Sequence, residues 1–391
     1  MILFYKEVKM ETRTFSTRTE RKTKDNPHYG DTYIIGLDMG YSGPKGFHEK
    51  GNFVFPNYCQ KITGELFSNL NKNDYIYEDL DTGEKFWVGE MATKSLSEDS
   101  VVAEDSLFGR NHYLHPNFLI TFRTALGLAL WDKYTDGSDI FIQTGLPPAY
   151  IQKDESYLRS VIQKRHHFKL NIGTKDKGTI CKEFDVTIDK SQVDVMYQPM
   201  GTFYSVVTDN EGNLTRDIAN YMNSNLLVFD GGFGTLDNFL VKGKQLTSKG
   251  TDPNLGMRRV LEETRKIIHK ELDTQISIPA MQTCLKTGKI KVNDMVNIKV
   301  VDYPIDEYLV KANEIVREEA FESIKDYVFD IKYLIMTGGL GAAWCDYFKE
   351  RLQGIPTLEV IPGNHNSNLP VIYSNARGYY MYRLNTLKRK K

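Results

Sequence analysis

The stretch Leu226-Leu227-Val228-Phe229-Asp230-Gly231-Gly232-Phe233-Gly234-Thr235 decides how this chain is read. Four apolar residues, enough for a buried strand, end in an aspartate and run straight into a glycine-rich turn. The arrangement also stands earlier, at Tyr33-Ile34-Ile35-Gly36-Leu37-Asp38-Met39-Gly40-Tyr41-Ser42-Gly43, with Asp38 closing the apolar run. A third apolar run, Tyr333-Leu334-Ile335-Met336-Thr337-Gly338-Gly339-Leu340-Gly341, enters a similar turn without the acid. Residues 236–241 read as a return strand after the second turn, making a strand-turn-strand unit like the one around Asp38. One unit near residue 38 and another near residue 230 point to a duplicated domain with a cleft between the copies. Strands alternate with helical segments, so the class is α/β.

Such turns have a definite chemistry. Glycine lets backbone N–H groups approach an anion closely and accepts the positive φ of tight turns. Several converging N–H groups form an anion-binding concavity. An aspartate repels phosphate but can hold Mg²⁺, directly or through the metal's waters, and Mg²⁺ bridges to phosphate oxygens. Two acidic glycine turns facing each other would grip a nucleotide triphosphate with its metal. The neutral third turn would let base and ribose lie against backbone.

Composition narrows the classes. The chain has 391 residues, enough for two or three domains. Its 50 Lys+Arg balance 51 Asp+Glu, so no global basic field argues for direct nucleic-acid binding. Cys59, Cys181, Cys284 and Cys345 are far apart and form no CxxC pair, as in a reduced, cytosolic protein without structural zinc. No apolar run approaches the ~20 residues of a membrane span. No GxxxxGK[ST] loop is present, and no GxGxxG opens a helix after the first strand. His166-His167 reads as a solvated pair.

Residues 1–30 are polar, charged and aperiodic and read as a flexible N-terminal arm. Residues 31–225 form the first domain, with a small subdomain over roughly 60–110 that includes a hairpin around Asp81-Thr82-Gly83. Helical spacing covers 115–134 and 150–166. Residues 226–373 form the second domain, with a small subdomain over roughly 250–330 built on the amphipathic segments 255–272 and 307–330. Residues 374–391 form a C-terminal helix, N-capped by Ser374, that packs back on the first domain and ends in a basic tail.

The three glycine segments resemble, in order, the first phosphate, second phosphate and adenosine motifs of the actin, heat-shock chaperone and sugar-kinase ATPase superfamily. Lys45 lies seven residues after Asp38, the spacing at which actins carry a phosphate-contacting lysine. Gln198, in Val193-Asp194-Val195-Met196-Tyr197-Gln198-Pro199-Met200-Gly201, falls where actin-like proteins carry the residue that positions the attacking water. Within the superfamily the chain resembles the bacterial plasmid-segregating, ParM-like actins. Thr144-Gly145-Leu146-Pro147, Trp87-Val88-Gly89-Glu90-Met91-Ala92 and Ser374-Asn375-Ala376-Arg377-Gly378-Tyr379 look like segments of that group. The resemblance spans roughly residues 33–387. Two positions depart from it: Pro44 sits inside the first loop, and Gln198 stands where ParM-like proteins often have glutamate.

The resemblance implies two actin-like (ribonuclease H-like) domains flanking a nucleotide cleft, each with a small subdomain. It implies Mg²⁺ and ATP, with GTP as the alternative, and slow hydrolysis coupled to polymerisation. Asp38 and Asp230 would hold metal waters, and Asp230 also the attacking water. Met39, Gly40, Tyr41, Ser42 and Lys45 would contact phosphates, as would Gly231, Gly232, Phe233, Gly234 and Thr235. Gly338, Gly339 and Leu340 would face adenosine. Gln198 would orient water, since an amide takes up no proton at neutral pH. The implied protein is bacterial and cytoplasmic. It assembles head to tail with itself and is linked to plasmid DNA by a DNA-binding adaptor, with no membrane partner. The competing function is a small-molecule kinase of the same superfamily, which would need a carboxylate base where Gln198 stands.

Overall fold

The computed structural model describes residues 12–65, 70–95, 113–133, 137, 139–176, 178–294 and 296–389. The first sheet is built on β1 (Glu20–Thr23), β2 (Tyr33–Gly40), β3 (Gly43–His48) and β4 (Gly51–Val54). A small antiparallel sheet follows with β5 (Cys59–Lys61), β6 (Tyr75–Asp79) and β7 (Lys85–Val88), then helix α1 (Glu90–Ser95) and helix α2 (Pro116–Ala129). Strand β8 (Ile140–Leu146) returns to the first sheet, α3 (Ile151–Ile162) leads into β9 (Arg165–Thr174) and β10 (Gly178–Thr187), and β11 (Val193–Tyr197) completes it. After α4 (Gln198–Val206) and α5 (Ile218–Met222) the second large sheet begins with β12 (Leu226–Gly231), β13 (Leu236–Lys242) and β14 (Gln245–Asp252). Then come α6 (Met257–Leu272), α7 (Ile278–Thr287), the hairpin β15 (Lys289–Asp294) and β16 (Lys299–Pro304), and α8 (Asp306–Glu322). The chain ends with β17 (Tyr333–Thr337), α9 (Gly338–Leu352), β18 (Glu359–Pro362) and α10 (Ser374–Arg389).

The duplication is visible in strand order. The first sheet runs β1-β4-β3-β2-β8-β11 and the second β14-β13-β12-β17-β18. Each has three antiparallel strands from consecutive hairpins, then two strands parallel to the first of them. The first sheet differs by one added edge strand, β1. The central strands are buried on both faces, which is why β2 and β12 are nearly continuous apolar runs rather than alternating ones. The fold is thus mixed α/β and two-domain, as the glycine turns imply.

Three expectations about the first domain and the segment before it need correction. The N-terminal arm is not free over its described part. Residues 12–15 form a 3₁₀ turn and β1 pairs antiparallel with β4, Glu20 opposite Val54 through Thr23 opposite Gly51. Its polar sequence hid a strand that lies at a sheet edge with little burial. Residues 1–11 lie outside the described part. The small subdomain of the first domain is not confined to 60–110. Its sheet, β10-β9-β6-β7-β5, takes two long strands from residues 165–187. Of the expected range, residues 66–69 and 96–110 lie outside the described ones. His166 and His167 are successive residues of β9 and face opposite sides. His166 is buried with its Nε2 2.8 Å from the Ile162 carbonyl, while His167 pairs with Asp81 at the surface.

Helix α10 lies against β2 and α4. The approach is close enough that a Cβ at Gly378 would sit 1.6 Å from the Gly201 carbonyl oxygen. Arg377, fully buried, donates to the carbonyls of Ser205, Thr208 and Asp209 around the end of α4 (2.7, 3.1 and 2.6 Å). A cation there satisfies orphan carbonyls and meets the negative end of the helix dipole. Burial lowers its pKa to about 10. Ser374 is the first helical residue rather than a side-chain cap: its hydroxyl is buried without a partner. The basic tail expected beyond it falls partly on residues 390–391, outside the described ones.

Candidate functional site

One cavity lies between the two large sheets, and most of the residues singled out from the sequence line it. Asp38, Met39, Gly40, Tyr41, Ser42 and Lys45 enter from the first domain. Gln198 enters from the start of α4. Asp230, Gly232, Phe233 and Thr235 enter from the second hairpin, and Gly338, Gly339 and Leu340 from the start of α9. Gly231 and Gly234 stand just behind this wall. Gly231 packs against Leu340 and Gly341, and Gly234 against the Tyr41 ring of the opposite hairpin.

The first hairpin is tight. Gly40 pairs with Gly43, leaving Tyr41 and Ser42 as a two-residue loop. That register puts Lys45 directly across from Asp38, with Nζ 3.6 Å from Oδ2. Pro44 sits opposite Met39 and does not prevent this pairing. Gln198 Nε2 donates to the other Asp38 oxygen at 3.2 Å. Asp38 is buried, so desolvation raises its pKa, and the adjacent Lys45 pulls it back down.

The second hairpin has a four-residue loop, closed by Gly231 opposite Leu236. Here the residue across from the acid is another acid: Asp237 faces Asp230. The spacing is again seven residues, so Asp237 occupies the place that Lys45 has in the first copy. Asp237 accepts from Thr251 at 2.6 Å and Thr235 at 3.3 Å, and burial with the nearby Asp230 charge holds its carboxyl well above the usual range. Asp230 accepts from Asn375 Nδ2 at 2.7 Å, and Asn375 in turn accepts from Thr202 at 2.7 Å. Burial pushes Asp230 up to about 6. The Asn375 hydrogen bond opposes the shift, and the Asp38 charge adds to it. Within the loop the Gly232 N–H donates to the Thr235 carbonyl, and the first N–H groups of α6 donate to the carbonyls of Gly232 and Phe233.

The third turn is the first turn of α9 rather than a loop before a helix. Thr337 pairs in register with Asp230, which brings Gly338 over the second hairpin. Gly338 has φ +76°, and a Cβ there would lie 2.3 Å from the Gly231 carbonyl oxygen and 2.6 Å from Asp230 Oδ1. Only glycine fits both constraints. The first turn of α9 therefore borders the cavity, and the start of a helix, with its orphan N–H groups and positive dipole end, is a favourable place for an anion.

Asp237 and Asn375 were not singled out from the sequence as site residues, nor were residues 14–18 of the N-terminal segment, which also line the cavity. The equal spacing of 38/45 and 230/237 could have flagged Asp237. Asn375 lies in the segment 374–379 that resembles the ParM-like group, but only the packing of α10 brings it to Asp230.

Residues 36–201 match the family described as actin-like proteins, N-terminal domain. No curated protein matches the sequence. Among solved structures the chain is similar to a non-polymerisable quadruple mutant of pCBH ParM, with 18% identity and a TM-score of 0.67 over 92% of this chain and 99% of that one. It is similar to the ParM of a 15-stranded filament from Clostridium botulinum, with 18% identity and a TM-score of 0.67 over 90% and 98%. An archaeal actin homologue in complex with ADP aligns over 91% of this chain and 99% of that one, at 16% identity and a TM-score of 0.57. The chain thus has the actin-like fold, with structural neighbours that include ParM, and its residues 36–201 match the actin-like N-terminal domain family.

Proposed function

We propose that this protein binds ATP with Mg²⁺ in the cleft, hydrolyses it slowly, and uses the nucleotide state to control assembly into a head-to-tail filament. The carrying observation is that both acidic hairpins and the α9 N-terminus converge on one cavity. There the buried carboxyls of Asp38, Asp230 and Asp237 lie together, with Arg18 and Lys45 as the cations among the described lining residues. Carboxylate oxygens facing a cavity suit a hard divalent cation. Among the described residues no three His, Cys, Asp or Glu side chains cluster as direct ligands. Asp38 and Asp230 would accordingly hold the ion through its waters.

The metal held by Asp38 and Asp230 through its waters would neutralise charge on the phosphates. The chain's own groups do the rest. Lys45 offsets negative charge beside Asp38. Ser42 and the N–H groups of the two hairpins and of the α9 start surround the phosphates. Asp38 fixes the Gln198 amide through Nε2, which leaves Oε1 to accept a hydrogen bond from the attacking water. An amide orients water without taking its proton, so turnover is slow. Asn375 holds Asp230 in place and couples α10 to the site.

Filament formation is supported by the likeness to ParM structures, one of them a filament; plasmid segregation through a DNA-binding adaptor rests on the sequence resemblance to the ParM-like group. The closed-ring alternative to a filament would need a rotation that returns the chain to its start. Gln198 in place of a carboxylate favours water over a substrate hydroxyl as acceptor, against the kinase reading. The test is light scattering after MgATP addition, followed by negative-stain microscopy. Nucleotide-dependent filaments are expected. Turnover of ATP only when a small hydroxylated acceptor is added, without any rise in scattering, would replace this reading with the kinase.

A further inference from the structure

The N-terminal segment joins the two halves of the molecule across the cavity. Its far end is held by the second domain. Thr12 Oγ1 donates to the Leu285 carbonyl at 2.8 Å and Arg13 Nε to the Lys286 carbonyl at 3.0 Å. Both acceptors lie in the last turn of α7, where backbone carbonyls have no helical partner. Phe15 is buried among residues of the second domain such as Phe233 and Met257, together with Tyr41 of the first hairpin. The Thr17 N–H donates to Gln282 Oε1 at 2.9 Å, and Gln282 is itself buried in α7.

Two residues later the chain belongs to the first domain. The Thr19 N–H donates to Glu90 Oε1 at 2.7 Å, and β1 then pairs with β4. Glu90 also reaches across with its other oxygen, which lies 3.0 Å from Lys286 Nζ on α7. Between these anchors, residues 14–18 line the same cavity as Asp38 and Asp230. The cleft cannot widen at this side without parting Thr17 from Gln282 or Thr19 from Glu90.

We propose that residues 12–23 are a strap that forms one wall of the nucleotide site and sets how fast nucleotide leaves it. This inference rests on the cleft being a nucleotide site. While the strap is latched, a bound nucleotide is enclosed. Release follows the breaking of its contacts with α7. Gln282 and Glu90 are positioning residues for this gate and act on exchange rather than on hydrolysis.

The experiment is stopped-flow displacement of ethenoadenosine triphosphate from the full chain by excess ATP in Mg²⁺, with phosphate release measured in parallel. Gln282→Leu keeps the buried volume and removes the acceptor for Thr17. Dissociation should rise about tenfold, the effect of losing one part-buried hydrogen bond that holds the gate shut, while single-turnover hydrolysis of bound ATP stays near the wild-type rate. A variant lacking residues 1–18 should release nucleotide faster still, with thermal denaturation confirming that it folds. Gln282→Leu remains decisive if the truncation does not fold. Unchanged dissociation in a folded Gln282→Leu variant, with nucleotide bound normally, overturns the strap and leaves the site intact. Failure of the wild type to retain any ethenoadenosine nucleotide overturns both.

Discussion

Replacing Asp230 with asparagine should make the nucleotide-free protein more stable while abolishing its response to MgATP. Asp230 is buried, and desolvation with the neighbouring Asp38 charge raises its carboxyl from 3.8 to about 6. In the unfolded chain the group ionises near the ordinary value, so between these two values the folded state holds a proton that the unfolded state has lost. Wild-type stability therefore falls as pH rises from about 4 to about 6, and the cost is fully present above that window. The difference corresponds to about 3 kcal/mol. The Asp230→Asn substitution would remove that cost, since the amide Oδ1 can still accept from Asn375 Nδ2. At pH 7.5 in EDTA, calorimetry should show a melting temperature several degrees above wild type. The gain should shrink as pH drops below about 6 and disappear near pH 4. Adding MgATP at a hundred times its Kd should stabilise the wild type by about 2.7 kcal/mol and leave the variant nearly unmoved. An Asp230→Asn variant less stable than wild type at neutral pH, or one stabilised equally by MgATP, would refute the view of Asp230 as a buried charge kept for a metal.

Other outcomes follow from the same geometry. Asp38→Ala should lose Mg²⁺-dependent nucleotide binding, read by calorimetric titration, because it removes the partner of both Lys45 and Gln198. Gln198→Ala should still polymerise with ATP while phosphate release falls roughly a hundredfold, and its filaments should disassemble more slowly; normal phosphate release would remove Gln198 from the mechanism. Gly338→Ala combines a left-handed φ with contact on Gly231 and Asp230, so it should destabilise the fold by roughly 2–5 kcal/mol in urea denaturation and weaken nucleotide binding further.

The parts legible in the sequence are those where backbone conformation and burial leave a local mark. Buried central strands read as apolar runs, and the turns after them need glycine, so Asp38, Asp230 and Gly338 stand out from the residue order alone. The hairpin around Gly83 is equally plain, with φ +74° at its glycine. What escapes depends on register or distant packing. β1 is four polar residues that become a strand only because β4 offers an edge. β9 and β10 alternate charged and apolar residues, and the two-residue period of β9 starts where the helical spacing of 150–166 is still expected to run. Asp237 becomes visible once antiparallel pairing sets it across from Asp230, and Asn375 once α10 folds back.

The most direct measurement is a crystal structure with Mg²⁺ and a non-hydrolysable ATP analogue. The account predicts the triphosphate between the two hairpins, with metal waters bonded to Asp38 and Asp230, the γ-phosphate near Gln198, and residues 14–18 along the same wall. A nucleotide bound elsewhere, or phosphates held by one hairpin with the other aspartate turned away from the metal, would contradict it.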